Sequence, residues 1–290
     1  MKLVVLGRTG QLGAELLTQA SQNGFEAVGL GSDVDVTDRT GLESALDAAK
    51  PQIVVNATAY HVVPECEQHP DRAFAVNAVA VKSMAEACAA RGIRFATYST
   101  DYVFDGRKGE TYLEDDRPNP LQTYGVSKLA GEQLCALFHP GALIIRTCGV
   151  YGGRTGSRAK KGNFVLNILR ETEGKRELEV SSEQIVNPTP AVDLAGASLE
   201  LLRVPSEGGV FHLASDGCCS WAEFAAAIVE LAGRPMAIIP VDRGGHSGAA
   251  RRPRFSALAN ARARALGIVL PHWRKGLERY LAQISAPSVT

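Results

Sequence analysis

Tyr124-Gly125-Val126-Ser127-Lys128 sets a phenol and an ammonium four residues apart, a spacing that brings both to one face of a helix. A neighbouring ammonium favours the phenolate, so this pairing is expected to lower the tyrosine from its ordinary pKa of about 10. Such a phenol can pass a proton to a carbonyl oxygen as hydride reaches the carbon. The pattern is common by chance and gains weight from a second block, Tyr98-Ser99-Thr100-Asp101-Tyr102-Val103-Phe104-Asp105-Gly106, at the C-terminal end of a predicted strand. Ligands of open parallel sheets sit outside such strand ends. Thr100 is therefore expected to hydrogen-bond the reacting carbonyl oxygen, giving a candidate catalytic set of Thr100, Tyr124 and Lys128.

A third element is Gly7-Arg8-Thr9-Gly10-Gln11-Leu12-Gly13, between the apolar run Leu3 to Leu6 and an amphipathic stretch. A strand that turns tightly into a helix aims free N–H groups and the positive end of the helix at one point, which suits a pyrophosphate. A Cβ at the glycines would block the turn, the phosphate or the packing of helix on strand. The GxxGxxG spacing points to the short-chain dehydrogenase branch of dinucleotide-binding folds, so the expected cofactor is NADPH or NADH. Where an acidic residue would hold the ribose hydroxyls the chain reads Gly29-Leu30-Gly31-Ser32-Asp33, with Asp33 displaced. Arg8 is either a solvated surface arginine or a contact for a 2′-phosphate, and the choice of coenzyme stays open.

These motifs need a frame. Short β-branched runs (Lys2 to Leu6, Glu26 to Leu30, Gln52 to Asn56, Arg94 to Ser99, Ala142 to Thr147) alternate with helical patterns, including one from about Asp71 to Arg91 that stops at Gly92. That alternation predicts an α/β fold, a doubly wound parallel sheet (Rossmann) with a smaller C-terminal substrate-binding lobe. We expect residues 1–150 to form the NAD(P)-binding domain, completed by roughly 178–217, with 151–177 and 218–290 making the lobe. Gly152 to Gly162 holds four glycines and four basic residues without apolar periodicity and reads as a mobile loop. Thr189 and Pro190 open a later helix, Val210 to Ala214 reads as a strand, and Ser220 with Glu223 makes a capping box.

Composition narrows the function classes. The 290 residues carry 31 basic and 31 acidic side chains, so no overall field draws nucleic acid or an anionic membrane, and neither is an expected partner. The start of the chain lacks a secretory pattern and no uninterrupted apolar run reaches about 18 residues, so a soluble, cytoplasmic protein is expected. Six cysteines without a CxxC pair and six scattered histidines give no zinc pattern.

Across nearly its whole length the chain resembles the dTDP-4-dehydrorhamnose reductases, which are extended short-chain dehydrogenases. The matching residues are Gly7 to Gly13, Val55-Asn56-Ala57, Ser99 to Phe104, Tyr124 to Lys128 followed by Leu129-Ala130-Gly131-Glu132, Asn163-Phe164, Pro188-Thr189 and Arg251-Arg252-Pro253. The resemblance implies NADH- or NADPH-dependent reduction of the C4 keto group of dTDP-6-deoxy-L-lyxo-4-hexulose to dTDP-L-rhamnose, a step of carbohydrate biosynthesis. It gives coenzyme contacts to Gly7, Arg8, Thr9, Gly10, Gln11, Leu12, Gly13, Asn56, Ala57, Tyr124 and Lys128, and sets Asp101 and Tyr102 toward the sugar. Related 4,6-dehydratases carry an Asp-Glu pair after the threonine; Tyr102 in the second position is a poor base near neutral pH, which favours simple reduction. Alternatives are a reductase or epimerase of another nucleotide-linked keto sugar, and a non-catalytic regulatory subunit of the methionine adenosyltransferase β type.

Three residues depart from the family pattern: Gly149 in place of a pocket tryptophan, Pro64 in place of aspartate and Val186 in place of glycine. For the substrate's diphosphate we expect Arg251 and Arg252, with Lys160 and Lys161 second. No metal ligand is expected in the site. The resemblance admits a divalent ion at a homodimer interface through Glu15 and Glu183, each of which reads equally as a solvent-facing glutamate.

Overall fold

The computed structural model describes residues 1–153, 162–205, 207–244, 246–247 and 250–286. Strands β1 (Lys2–Leu6), β2 (Glu26–Leu30), β3 (Ile53–Asn56), β4 (Arg94–Thr100) and β5 (Leu143–Thr147) form one parallel sheet with Gly209–His212. The order is Gly209–His212, β5, β4, β3, β1, β2. The chain thus leaves β1 toward opposite edges for β2 and β3, creating a switch point where both connections diverge and a crevice opens at the strands' carboxyl ends.

Alternation along the strands builds two cores. Leu3, Val5, Ile53, Val55, Leu143 and Ile145 face α1 (Gln11–Ala20) and the helix Ala191–Arg203. Val4, Leu6, Val54 and Ile144 face α2 (Arg39–Ala49), the helical run ending at Ala90 and the helix Thr123–Phe138. Covered on both faces, β1 and β3 are nearly continuous apolar runs, as central parallel strands require, whereas β2 at the edge stays partly exposed. A third core around Phe224, Ile228, Leu277 and Tyr151 belongs to the smaller lobe, where Glu177–Ser181 pairs with Ala237–Val241. Glu177–Ser181 thus pairs beside this third core, whereas Gly209–His212 pairs with β5 and Ala191–Arg203 packs on the six-stranded sheet.

The helix expected over 71–91 is one run from Pro70 to Ala90 with a π-helical turn at Ala75–Val79. The turn lies at a close crossing: a Cβ at Gly131 would lie 2.1 Å from the Asn77 carbonyl oxygen. Asn77 uses the widened turn to bond the Tyr60 backbone and the Ser127 hydroxyl. By length and composition this run is apolar enough to cross a membrane, but half of it is buried in the core.

Candidate functional site

β1 runs directly into the glycine turn. Gly7, at φ +89°, backs onto Ala57 at the end of β3, and a Cβ there would come within 3.1 Å of that backbone. Gly13 is tighter: its Cβ would sit 2.2 Å from the Gly7 carbonyl oxygen. Gly7 and Arg8 donate to the Leu30 carbonyl and Gly10 donates to Gly7, while among the described residues no acceptor takes the N–H groups of Thr9, Gln11, Leu12 or Gly13. These unclaimed donors surround the positive end of α1, a cradle that fits a pyrophosphate. Leu12 faces the core, so it can offer a ligand only its backbone.

Arg8 lies across the end of β2. Its guanidinium donates to the Gly29 carbonyl at 3.2 Å and pairs with Asp33 at 3.2 Å, over the space left by Gly29 and Gly31. Asp33 folds back to accept from the Gly31 N–H, and its own backbone N–H together with that of Gly31 holds its carboxyl below the usual range. The displaced acid thus reaches the strand end after all, joined to the arginine. Asn56 is buried and spends its side chain on Thr58 and Thr97. Its part is to shape the wall beside Gly7.

Outside the ends of β4 and β5 opens a cleft of about 990 Å³. Gln11, Thr100, Asp101, Tyr102, Tyr124 and Arg252 all line it, so one cavity joins the glycine turn to the YxxxK helix. Gln122 caps that helix by accepting from the Gly125 N–H at 2.7 Å. The cap and Gly125, whose Cβ would lie 2.2 Å from the Tyr102 carbonyl oxygen, seat the helix start against the Thr100 block. The Tyr124 ring meets Tyr102 edge-on at 6.1 Å, and its phenol opens into the cleft that Thr100 also lines.

Two details differ from the sequence expectation. Lys128 shares the helical face of Tyr124, yet its Nζ turns to the end of β4 and donates to the Tyr98 carbonyl at 2.6 Å. The phenol is accordingly not lowered: burial, then the charge of Asp101, raise it above the ordinary value. Burial acts on the lysine in the other direction, bringing it down to about 8. The Thr100 hydroxyl donates to Asp101 at 3.0 Å and accepts from the Tyr102 N–H at 3.2 Å, so its proton must swing from the carboxylate to serve a substrate oxygen.

Asp101 lies on the cleft wall but is locked by Ser256, which donates to its other oxygen at 2.6 Å; burial raises its pKa. Nothing near Asp101 in the sequence announces Ser256. Tyr102 is pushed up to about 12, chiefly by burial, and is no base at neutral pH. Its hydroxyl accepts from Arg252 at 2.8 Å, while the buried Nε of Arg252 has no partner among the described residues. Arg251, by contrast, is exposed and off the cleft wall, because adjacent residues of the short strand Ala250–Arg251 and its continuation point to opposite sides. Lys160 and Lys161, with most of the loop read as mobile, lie outside the described residues.

Gly149, at φ +57°, lines the cleft together with Pro64 and Val186. Sequence reading missed Gln11 as a bridge: its Oε1 accepts from the Gly152 N–H at 2.9 Å and the Asn163 amide at 3.3 Å, tying the glycine turn to the lobe. It also missed two buried hydroxyls at the strand ends, Ser99 and Thr147, which line the cleft without a partner among the described residues. Glu183 accepts from Ser181 and from the Arg243 N–H, and Glu15 sits half-buried on α1. Among the described residues no three His, Cys, Asp or Glu side chains gather as a metal site.

The RmlD substrate binding domain family matches residues 1–286. The spore coat polysaccharide biosynthesis protein SpsK of Bacillus subtilis is 37% identical, over 98% of this chain and 98% of its own. A dTDP-4-dehydrorhamnose reductase of Sinorhizobium fredii is also 37% identical, over 96% of each chain. Among solved structures, the dTDP-4-dehydrorhamnose reductase of Bacillus anthracis in complex with NADP superposes with a TM-score of 0.90 at 31% identity, covering 97% of this chain and 99% of that one.

Proposed function

Because the chain belongs to the RmlD substrate binding domain family, we propose that it is an NAD(P)H-dependent reductase of the C4 keto group of a dTDP-4-keto-6-deoxysugar, turning dTDP-4-dehydrorhamnose into dTDP-L-rhamnose. The observation that carries this reading is the single cleft bounded by Gln11 of the glycine turn, Thr100 and Tyr124, with Lys128 buried behind it.

The chain's own groups divide the work. Gly7, Gly10 and Gly13 keep the turn tight, and the N–H groups of Thr9, Gln11, Leu12 and Gly13 would hold the coenzyme's pyrophosphate. Arg8 and Asp33, paired at the end of β2, would meet the adenosine ribose: the cation suits a 2′-phosphate and the carboxylate suits free hydroxyls. When bound, the coenzyme supplies a hydride to the C4 carbon. Tyr124 gives its phenolic proton to the carbonyl oxygen, and Thr100 steadies that oxygen with a hydrogen bond, so the C=O bond becomes a secondary alcohol. Lys128, held by the Tyr98 carbonyl behind the cleft, would offer its ammonium to the nicotinamide ribose of a bound coenzyme. Tyr102, too weak a base to eliminate water, keeps the outcome at reduction.

Arg252 takes the diphosphate. It is a cation set on the cleft wall with a buried Nε that has no partner among the described residues, and its Nη1 donates to a neutral phenol. Replacing it by alanine raises the KM for the sugar nucleotide more than that for the coenzyme; equal effects on both remove it from the site. A cytoplasmic location fits a reaction that consumes NAD(P)H. The decisive experiment mixes purified protein, NADPH and the dTDP-4-keto-6-deoxysugar and follows coenzyme absorbance, with NMR of the product's C4 configuration. Binding without oxidation of NADPH would instead favour a regulatory subunit.

A further inference from the structure

We propose that Trp221 is the apolar wall on which the sugar ring stacks, and so a residue that determines which keto sugar is accepted; this rests on the nucleotide-sugar reading above. The cleft lining mixes two chemistries. Thr100, Asp101, Tyr102 and Tyr124 supply polar groups, whereas Val150, Phe164, Val186 and Trp221 supply carbon. A 6-deoxypyranose has the same asymmetry, with hydroxyls and a carbonyl at its edge and a face of C–H groups ending in a methyl.

Geometry places the indole near the reacting carbon. Thr147 pairs with Thr100 at the ends of β5 and β4, and Gly149 follows two residues later. A Cβ at Gly149 would lie 3.2 Å from the Pro188 Cα and 3.3 Å from the Asn187 carbonyl oxygen at a φ of +57°, so position 149 cannot itself supply a wall. The same Cβ would touch the far edge of Trp221 at 3.4 Å. An aromatic from the smaller lobe therefore closes the space beside the strand end.

Trp221 is also preorganised. It opens the helix Trp221–Leu231, whose start is fixed by the reciprocal bonds of Ser220 and Glu223. Its ring packs on Phe164 at 4.6 Å and Phe224 at 6.1 Å, and it belongs to the cores of both the lobe and the strand ends. Phe224 is fully buried by these contacts, while Trp221 keeps part of its surface open. Aromatic surface held rigid and left partly uncovered inside a polar-rimmed cleft is binding surface, since ordering it costs no further entropy when a ligand arrives.

The chain has two tryptophans, which makes the test direct. Trp273→Phe leaves Trp221 as the sole indole emitter, and titration with dTDP-L-rhamnose should quench or shift its emission, with dTDP alone having little effect. Trp221→Ala should raise the KM for the keto sugar nucleotide about tenfold, the coenzyme KM staying within about twofold, and Trp221→Phe should recover most of the loss. An unchanged sugar KM in a folded Trp221→Ala protein overturns the proposal, as does an equal fluorescence response to dTDP and to the sugar nucleotide. If the alanine variant fails to fold, the Trp273→Phe titration decides alone. A wild-type protein that binds the sugar nucleotide through Trp221 but oxidises no NADPH leaves this wall standing and removes the reductase reading. Turnover without any Trp221 response does the reverse.

Discussion

Raising the pH through 8 should switch off the reaction by a titration that the fold itself sets. Lys128 is 3% exposed and spends its ammonium on the Tyr98 carbonyl, and burial brings its pKa from 10.5 down to about 8, opposed by the charge of Glu132. With one titrating group, about nine-tenths of the enzyme carries the ammonium at pH 7, half at pH 8 and about one-tenth at pH 9. Because kcat/KM reports the free enzyme, its value should be level to about pH 7 and fall roughly tenfold by pH 9. Tyr124, raised by burial, titrates too high to cause this limb. Unfolding does not cause it either: the folded lysine is depressed, so the unfolded chain binds more protons between about pH 8 and 10.5, and this group makes stability rise with pH across that window. Initial rates in buffers of constant ionic strength, run beside thermal midpoints, measure both. The Lys128→Met enzyme should be slow and lack the alkaline limb. A wild-type profile flat from pH 7 to 9.5, or the same limb in the methionine variant, would refute the assignment.

Tyr124→Phe should keep coenzyme affinity nearly intact and depress turnover about 100-fold or more, the usual size of a general-acid contribution; near-normal turnover would exclude Tyr124 as the acid. Gly13→Ala forces a methyl to 2.2 Å from the Gly7 carbonyl oxygen, which should cost about 1–3 kcal/mol in denaturant melts and weaken NADPH binding in the same variant. His212 is buried without charge, its pKa pushed down to about 3 by burial and by Arg146. The unfolded histidine near 6.5 binds the extra proton, so stability should fall by up to about 1.4 kcal/mol per pH unit from 6.5 toward 3. His212→Gln should remove that slope in acid melts. Breaking the buried Arg146–Glu132 pair at 2.6 Å by Glu132→Ala leaves an uncompensated guanidinium and should cost about 3–5 kcal/mol, read as the shift in denaturation midpoint.

The sequence alone determined whatever depends on near neighbours along the chain. The buried part of β1, Leu3 to Leu6, coincides with its apolar run, because a strand buried on both faces cannot tolerate a polar interruption. The capping box at Ser220 and Glu223 was legible because its two bonds span three residues. The glycine turn was legible too, since its crowding is between Gly7 and Gly13. The chemistry of the cleft was decided at longer range. Asp101 is locked by Ser256 at a separation of 155 residues, and Tyr102 meets Arg252 across 150. Which of Arg251 and Arg252 faces the cleft is decided by the fold, which leaves Arg251 exposed and brings Arg252 to Tyr102. The Tyr124–Lys128 spacing put both groups on one face, but burial among distant segments set their proton affinities, and in opposite directions for acid and base. Local pattern fixes which atoms are near one another along a helix or strand; desolvation and cross-chain hydrogen bonds depend on everything packed around them, and that is settled by the tertiary structure.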